Sequence, residues 1–600
     1  MTAPSRPPHA PLQLLLRERA SREAILPQGL HDDALTHSSP PGSPVASELS
    51  GYLWDEGADA NDLRAQRWGV VAAPGAAGDR ALSQIQPLIA ARQAAQDAPV
   101  RIYRPPPDLD ELSALQYRKE HFDTGRTLSQ GTPRYLLILG DLDEVPLALQ
   151  AVLQTDALVG RLAFRNPEGY AAYVEKVLRS EAGGASAAGR ALFYTVPDGT
   201  SATQVGEAAL VKPCHELAAS SRKSGEFPAE VRDLNHDSDD RLSADVVLRA
   251  AADPTPTAFL SVSHGEGAPP GGFRSPSRQR ERQGAMCFGD DEALAGSDVA
   301  AARFLQNGLW LMVACYGAGT PQHSAYQPWI EQLGRGGRNP ELSRLLDGLP
   351  RPSEPPFVAA LPQALLQNPN GPLAFISHID LAWTYSFADL DAGPGAIPRP
   401  ARFVEALRWA LRGDRVGLCC RELMRALGQT QTEILTLSQS LSTARTGQPR
   451  SEPRTGRPSG LDPATRLSHL WMLRQDLLGY ILLGDPAVRL PVSPKAGAPA
   501  VGPAVDADNT TELAASLGLF GGGDVRDRPR SVPTRRDARA PMSALPDIER
   551  LEPAIGALLA GRGDAAELAA GLGLSPAQLL DYVERYRRAG RAALGGRPSR

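Results

Sequence analysis

Apolar residues gather in short unbroken runs through the middle of the chain. Residues 135–139, 191–196, 258–263, 309–314 and 373–379 each hold a mostly apolar run of about strand length. Runs of this kind, without polar alternation, mark strands covered on both faces. Between them apolar residues return at helical spacing, as with Leu82, Ile85, Leu88 and Ile89 in 80–98, or Val205, Leu210, Val211 and Leu217 in 203–220. Further helical patterns cover 169–181, 357–367 and 403–427. Strand and helix in alternation predict an α/β fold with a largely parallel sheet.

Two of the runs end in reactive residues. Run 309–314 stops at Cys315, ahead of a loop containing Gly317, Gly319 and Pro321, and run 258–263 stops at His264-Gly265-Glu266-Gly267. Ligands bind at the carboxyl ends of strands in open α/β sheets. If the two strands are parallel neighbours, an imidazole stands beside a thiol, as a cysteine nucleophile requires. A free thiol titrates near pH ~8.5, and an adjacent imidazolium lowers that value, which predicts a thiolate at neutral pH. His264 would then protonate the leaving amine. The backbone N–H groups of Gly265 and Cys315 are candidates for stabilising the oxyanion. Taken singly, each residue has an ordinary explanation, a core cysteine or a His-Gly turn. Their joint placement is what points to chemistry.

Three further segments, in order, carry a family resemblance: Gly160-Arg161-Leu162-Ala163-Phe164, Tyr173-Val174-Glu175-Lys176-Val177-Leu178, and Tyr480-Ile481-Leu482-Leu483-Gly484-Asp485-Pro486-Ala487. With His264 and Cys315 they resemble the caspase-like cysteine peptidases, most closely the gingipain-like family, over roughly residues 130–492. The resemblance implies a caspase-like three-layer α/β/α catalytic unit of two subdomains, 129–250 without the dyad and 251–492 with it. It implies an endopeptidase acting on protein or peptide substrates. The loop 268–283 would border the groove. Strand 373–383 would wall the pocket for the residue before the cut, making Asp380 and Trp383 candidates for that pocket and its aromatic side. Arg-specific members carry an acidic residue on the helix before the histidine. Here Ala209 falls at that place and Glu207 lies close by, so Glu207 and Asp380 are both open as selectors of a basic residue. Asp290, at the end of 284–291, reads either as a helix cap or as a groove carboxylate. Asp198 and Glu266 are both available as a third residue orienting His264. His378 is a rival base without the following glycine.

Composition narrows the setting. A length of 600 residues predicts two to four domains, and the formal charge of −5 argues against a general nucleic-acid coat. The five cysteines, at 214, 287, 315, 419 and 420, form no metal-spaced pair, and no metal or cofactor is expected. An odd cysteine count fits a reducing cytoplasm. The apolar stretch 12–16 is too short for an export signal and meets Arg17, Glu18 and Arg19 at once. No run reaches membrane-spanning length. Neither a G-x-S-x-G elbow nor an H-E-x-x-H helix is present, and no glycine-rich phosphate loop follows Gly140-Asp141.

Residues 1–128 read as an accessory region, and 493–545, rich in Ala, Gly, Pro, Asp and Arg, as a flexible linker. Residues 546–600 resemble a helix-turn-helix, with Arg585, Arg587, Arg588 and Arg591 near its end. Asp581 and Glu584 on the recognition helix oppose DNA, so a regulatory protein partner is favoured over DNA. The resulting expectation is a cytoplasmic, bacterial-type caspase-like cysteine endopeptidase cutting one or few partner proteins. Analogy suggests a defence or cell-death pathway. The rival expectation is a DNA-binding or interaction regulator in which the caspase-like unit is a non-catalytic scaffold or sensor.

Overall fold

A computed structural model describes residues 13–18, 24–30, 58–122 and 132–493, apart from 186–187, 238–241, 270–271, 274, 290–291, 336–339, 352–353, 390–396 and 446–461. All of these belong to the first of two compact units, Met1–Leu517 and Gly518–Arg600. The helix-turn-helix expected in 546–600, and all but the first residue of the linker, lie outside the described residues.

In chain order, the strands begin with β1 (Leu16–Glu18), β2 (Trp68–Ala72), β3 (Arg101–Tyr103), β4 (Tyr135–Leu139) and β5 (Leu158–Leu162). They continue with β6 (Arg190–Thr195), β7 (Glu230–Asp233), β8 (Thr257–Val262), β9 (Gly265–Gly267), β10 (Met286–Phe288) and β11 (Glu292–Leu294). Next come β12 (Leu309–Val313), β13 (Ala374–His378) and β14 (Tyr480–Leu483). Ten of them form one sheet, ordered β3-β2-β4-β5-β14-β13-β12-β8-β6-β7. Every pairing is parallel except β13 with β14. The sheet is therefore two parallel blocks of opposite direction, joined at that one antiparallel seam. β2 and β3 come from within 1–128, and β6 and β7 from within 129–250.

Alternate residues of β2 and β4 feed two separate cores, as the period of a strand requires. Val70, Ala72, Leu137 and Leu139 join one core with Leu82, Leu88 and Tyr173 of the helices Gly75–Gln84, Gln86–Gln96 and Glu168–Ala182. Val71, Leu136 and Ile138 join the other with Ala114, Tyr117, Leu149 and Leu153 of Glu111–His121 and Leu147–Leu153. Helices thus cover both faces, giving a three-layer α/β/α arrangement in this block. The Glu111–His121 helix starts where it does because Asp110 accepts from the Ser113 backbone N–H while Ser113 Oγ accepts from the Asp110 N–H.

The segments that carried the resemblance are structural fasteners. The Arg161 guanidinium is fully buried and donates to Gln150 Oε1 and to the carbonyls of Gly140, Asp141 and Val145. Lys176 Nζ lies within 2.7–3.2 Å of the carbonyls of Leu365, Leu366, Asn368 and Pro372, closing the carboxyl end of the helix Ala360–Gln367. Tyr173 donates its hydroxyl to Leu373 O at 2.8 Å and accepts the Asp485 N–H at 2.7 Å. The Asp485 carboxylate in turn accepts from Trp68 Nε1 and from Arg92 Nε and Nη2. Gly160 sits where β5 meets β14, and a Cβ there would lie 2.2 Å from Gly484 O. Buried polar groups satisfied in this way hold the seam between the blocks in a single register.

Candidate active site

His264 and Cys315 come together because their strands are neighbours. β8 and β12 pair in parallel with Val262 opposite Val313, and the Ser263 N–H donates to Val313 O at 3.2 Å. Each candidate lies two residues beyond that last pair, and both are fully buried. The glycine after His264 is required by this packing: a Cβ on Gly265 would stand 1.9 Å from Cys315 O. The two backbones are in contact, and any larger residue would push the strand ends apart.

The backbone N–H groups of Gly265 and Cys315 converge on one acceptor, the carbonyl oxygen of Leu15, at 3.0 and 3.3 Å. The Leu15 N–H donates to Ala382 O at 3.2 Å. The Ala382 N–H in turn donates to Cys315 Sγ at 3.1 Å. Leu14 forms an antiparallel bridge with Trp383, and β1 continues in parallel beside β9. An N-terminal segment thus lies in extended form along the two strand ends. Sequence reasoning assigned it no chemistry. Its one signal was the apolar stretch 12–16, read as a failed export signal.

On the other side of the imidazole, His264 Nε2 meets Thr200 Oγ1 at 2.9 Å. Thr200 Oγ1 donates to Asp198 Oδ1 at 2.9 Å, and Asp198 Oδ2 lies 3.8 Å from His264 Nε2. Thr203 Oγ1 donates to the same Asp198 oxygen at 2.7 Å. Thr200 also caps the helix Ser201–Gly206, so the helix start fixes the hydroxyl that faces the ring. Of the two carboxylates open for this position, Asp198 is beside the ring. Glu266 is engaged by Arg282, with Nε at 2.9 Å and Nη2 at 2.6 Å. Thr200 was not singled out from the sequence, because a helix-capping threonine looks the same whether or not an imidazole lies above it.

Electrostatics correct one expectation. Sequence reasoning placed a thiolate beside an imidazolium. Burial instead pushes the Cys315 thiol well above its ordinary value, and burial lowers His264 to about 4 against the opposing pull of Asp198. Both groups are uncharged at neutral pH in this conformation. With Leu14, Leu15 and Leu16 buried along the pair, water that would solvate the charges is excluded.

The remaining candidates are distributed around this centre. Asp380 is buried, with Oδ1 accepting from Leu381 N and Oδ2 from Ala325 N, both at 2.8 Å. Its backbone carbonyl accepts the Tyr316 N–H, so it braces the loop after Cys315, and burial raises its carboxyl to about 7. The Trp383 N–H donates to Asp476 Oδ1, and its ring packs against Tyr326 and Trp329 with centroids 5.9 and 5.7 Å away. Glu207 opens a π-helical turn, Glu207–Val211, and its Oε2 is buried with no hydrogen-bond partner. Asp290 lies outside the described residues. His378 is tied to Leu381 O through Nδ1 at 3.2 Å and stands 3.5 Å from Asp476 through Nε2, an internal brace. Neither Asp476 nor the backbone of Ala382 was legible as part of the site.

Among the described residues no group of three or more His, Cys, Asp or Glu side chains is placed to hold a metal ion. No described helix is long and apolar enough to cross a membrane. No family model matches the sequence, and no curated protein matches it. Among solved structures, one described as "Structure of Protease" is 12% identical, covering 73% of this chain and 80% of its own, with a TM-score of 0.38. The Arg-specific cysteine proteinase gingipain R is also 12% identical, covering 72% of this chain and 79% of its own, with a TM-score of 0.37. A complex of the pro- and mature domains of RgpB from Porphyromonas gingivalis is 10% identical, covering 71% and 79%, with a TM-score of 0.32.

Proposed function

We propose that this chain is a cysteine endopeptidase, with Cys315 as nucleophile and His264 as the proton carrier. The observation that carries this reading is the convergence of the Gly265 and Cys315 N–H groups on one peptide carbonyl beside the Cys315 thiol. Two preorganised donors at that oxygen are what acyl transfer needs, because they strengthen as the carbonyl becomes an oxyanion.

In the reaction, His264 takes the thiol proton and Cys315 Sγ bonds to the carbonyl carbon. The C–N bond then breaks, and the departing amine receives the proton from His264, leaving a thioester on Cys315. Water, deprotonated by the same imidazole, attacks the thioester and releases the new carboxylate and the free thiol. Thr200 and Asp198 hold the ring through Nε2, which leaves Nδ1 to exchange the proton. Ala382 and Trp383 supply backbone pairing for an extended peptide, and Asp380 positions the loop that carries the Tyr316 N–H. Glu207, Asp290 and Trp383 are proposed as substrate contacts, and the substrates as one or few partner proteins.

Cleavage of a fluorogenic peptide library by the purified chain, with and without Leu15→Asp to displace residues 13–18, each alongside Cys315→Ala and His264→Ala, tests this reading. Turnover lost in both variants, with unchanged thermal melting, supports it. Turnover that persists in Cys315→Ala contradicts it.

A further inference from the structure

Residues 13–18 do more than cover the site. Their backbone makes the contacts that an extended peptide substrate would make. The Leu15 N–H reaches Ala382 O, the Leu15 carbonyl lies between the Gly265 and Cys315 N–H groups, and Leu14 pairs antiparallel with Trp383. Past Leu15 the segment runs parallel to Gly265–Gly267, with Leu16 opposite Gly265 and Glu18 opposite Gly267. The residue whose carbonyl occupies the two-donor site is the one before the bond under attack, so the Leu15–Leu16 peptide is the bond presented to Cys315.

The segment is anchored on both sides of that bond. Ser201 Oγ donates to Gln13 Oε1 at 2.6 Å, and the Leu16 carbonyl accepts the Ile25 N–H at 2.9 Å. A Cβ on Gly267 would stand 2.9 Å from the Leu16 side chain, so this strand edge admits the segment closely because it is glycine. Main-chain pairing of this kind is independent of sequence, and choice falls to the side-chain pockets. Leu15 is the side chain in the deciding position, and it is 0% exposed, within the continuous apolar core.

Of the acidic groups around the site, Asp380 has both oxygens taken by backbone N–H groups, and Asp476 accepts from Trp383 N and Ser386 N. Both already serve backbone N–H groups, and burial raises both carboxyls to about 7, which disfavours the charged form that a basic side chain would pair with. Glu207 Oε2 is buried without a hydrogen bond, as is Asp198 Oδ2 beside His264, and Glu207, on the helix that precedes the histidine, defines the competing outcome.

We propose that the pocket for the residue before the cut selects leucine, and that the chain's own Leu15 fills it as a built-in pseudosubstrate. This rests on the peptidase reading for its meaning but not for its test. The occupied groove explains why Cys315 and His264 are both uncharged in this conformation, and it makes departure of the segment the step that exposes the thiol.

The experiment uses the full chain carrying Leu15→Asp, which places a charge in an apolar pocket and releases the segment. Leu15→Ala serves as a milder opening should the first variant melt early, and Leu15→Met as a retained occupant. Alkylation of Cys315 by iodoacetamide is followed by mass spectrometry. The rate should rise at least tenfold in Leu15→Asp and stay near wild type in Leu15→Met. Synthetic peptides of residues 10–20, with Leu, Ala, Arg or Asp at position 15, are then added to the opened chain. The leucine peptide should protect Cys315 at a concentration at least ~10-fold lower than the alanine peptide, and the charged peptides should not protect. Protection by the arginine peptide first would assign the pocket to Glu207 and overturn the leucine assignment. Equal alkylation of wild type and both opened variants would overturn the pseudosubstrate. Protection reports binding alone, so a chain that binds the leucine peptide but turns over no substrate would count against the peptidase reading and leave this inference standing.

Discussion

Thr200 Oγ1 lies 2.9 Å from His264 Nε2 and donates its hydrogen bond to Asp198 Oδ1, so one hydroxyl ties the imidazole to a buried carboxylate. With the Thr200 hydroxyl proton directed at Asp198, the tautomer that satisfies both contacts carries its N–H on Nε2, and the proposed mechanism then uses Nδ1 for exchange with the thiol. Thr200→Val should lower kcat by roughly 10–100-fold with little change in KM, and should shift the acid limb of the pH–rate profile. Thr200→Ser keeps both the hydroxyl and the helix cap and should restore most of the rate. Steady-state kinetics across pH on the three forms check this.

Lys176 is a stability prediction with no catalytic component. Its ammonium is buried against four carbonyl oxygens, which would lose their shared donor in Lys176→Met. Leaving several buried acceptors unpaired should cost about 2–4 kcal/mol. Urea denaturation should show the loss as a lower midpoint with an unchanged slope. A variant within ~0.5 kcal/mol of wild type would contradict the fastening role.

Asp485 anchors a second junction. It accepts from Trp68 Nε1 and from the buried Arg92 guanidinium, linking β2 to the turn that follows β14. Asp485→Ala strands part of that positive charge, although Glu181 still pairs with Arg92. The expected loss is about 3 kcal/mol by chemical denaturation, with Cys315 alkylation in the folded protein unchanged.

The pH dependence follows from the site's burial. His264 titrates at about 4 in the folded chain against 6.5 when free. Between those values the unfolded chain binds a proton that the folded chain refuses, so this group removes stability as pH falls from about 6.5 to about 4. Asp380 runs the other way: raised from 3.8 to about 7, it removes stability as pH rises across that window. The two trends offset each other in the wild type. The difference between His264→Gln and wild type isolates the first, and it should shift by about 2–3 kcal/mol in favour of the variant between pH 7 and pH 4. A difference independent of pH would mean that His264 is already solvated.

What could be read from the sequence follows from the kind of signal each feature leaves. The strands of 135–139, 190–195, 257–262, 309–313 and 374–378 are buried on both faces and therefore appear as apolar runs, which is why the parallel sheet was visible. The nearness of His264 and Cys315 was inferred from two such runs with matching ends, and the pairing of Val262 with Val313 places them together. The three resemblance segments were legible as matches to a family's pattern, and their charged residues Arg161, Lys176 and Asp485 have structural tasks. The reversal of direction at β13–β14 left no mark, since an apolar strand reads alike in either orientation. The occupant of the groove was missed for a related reason. Leu15 acts through its backbone and an ordinary side chain, and its partners lie hundreds of residues away. The charge state of the pair was also beyond reach, because it depends on that cover.

The most direct test of the peptidase reading is a covalent trap. The Leu15→Asp chain is treated with a peptidyl acyloxymethyl ketone bearing leucine next to the warhead, and the modified residue is located by tandem mass spectrometry. The account predicts a single adduct on Cys315 that is lost in His264→Ala, with Cys214, Cys287, Cys419 and Cys420 unmodified. Adducts spread over the other cysteines, or labelling of Cys315 that is indifferent to His264, would contradict it.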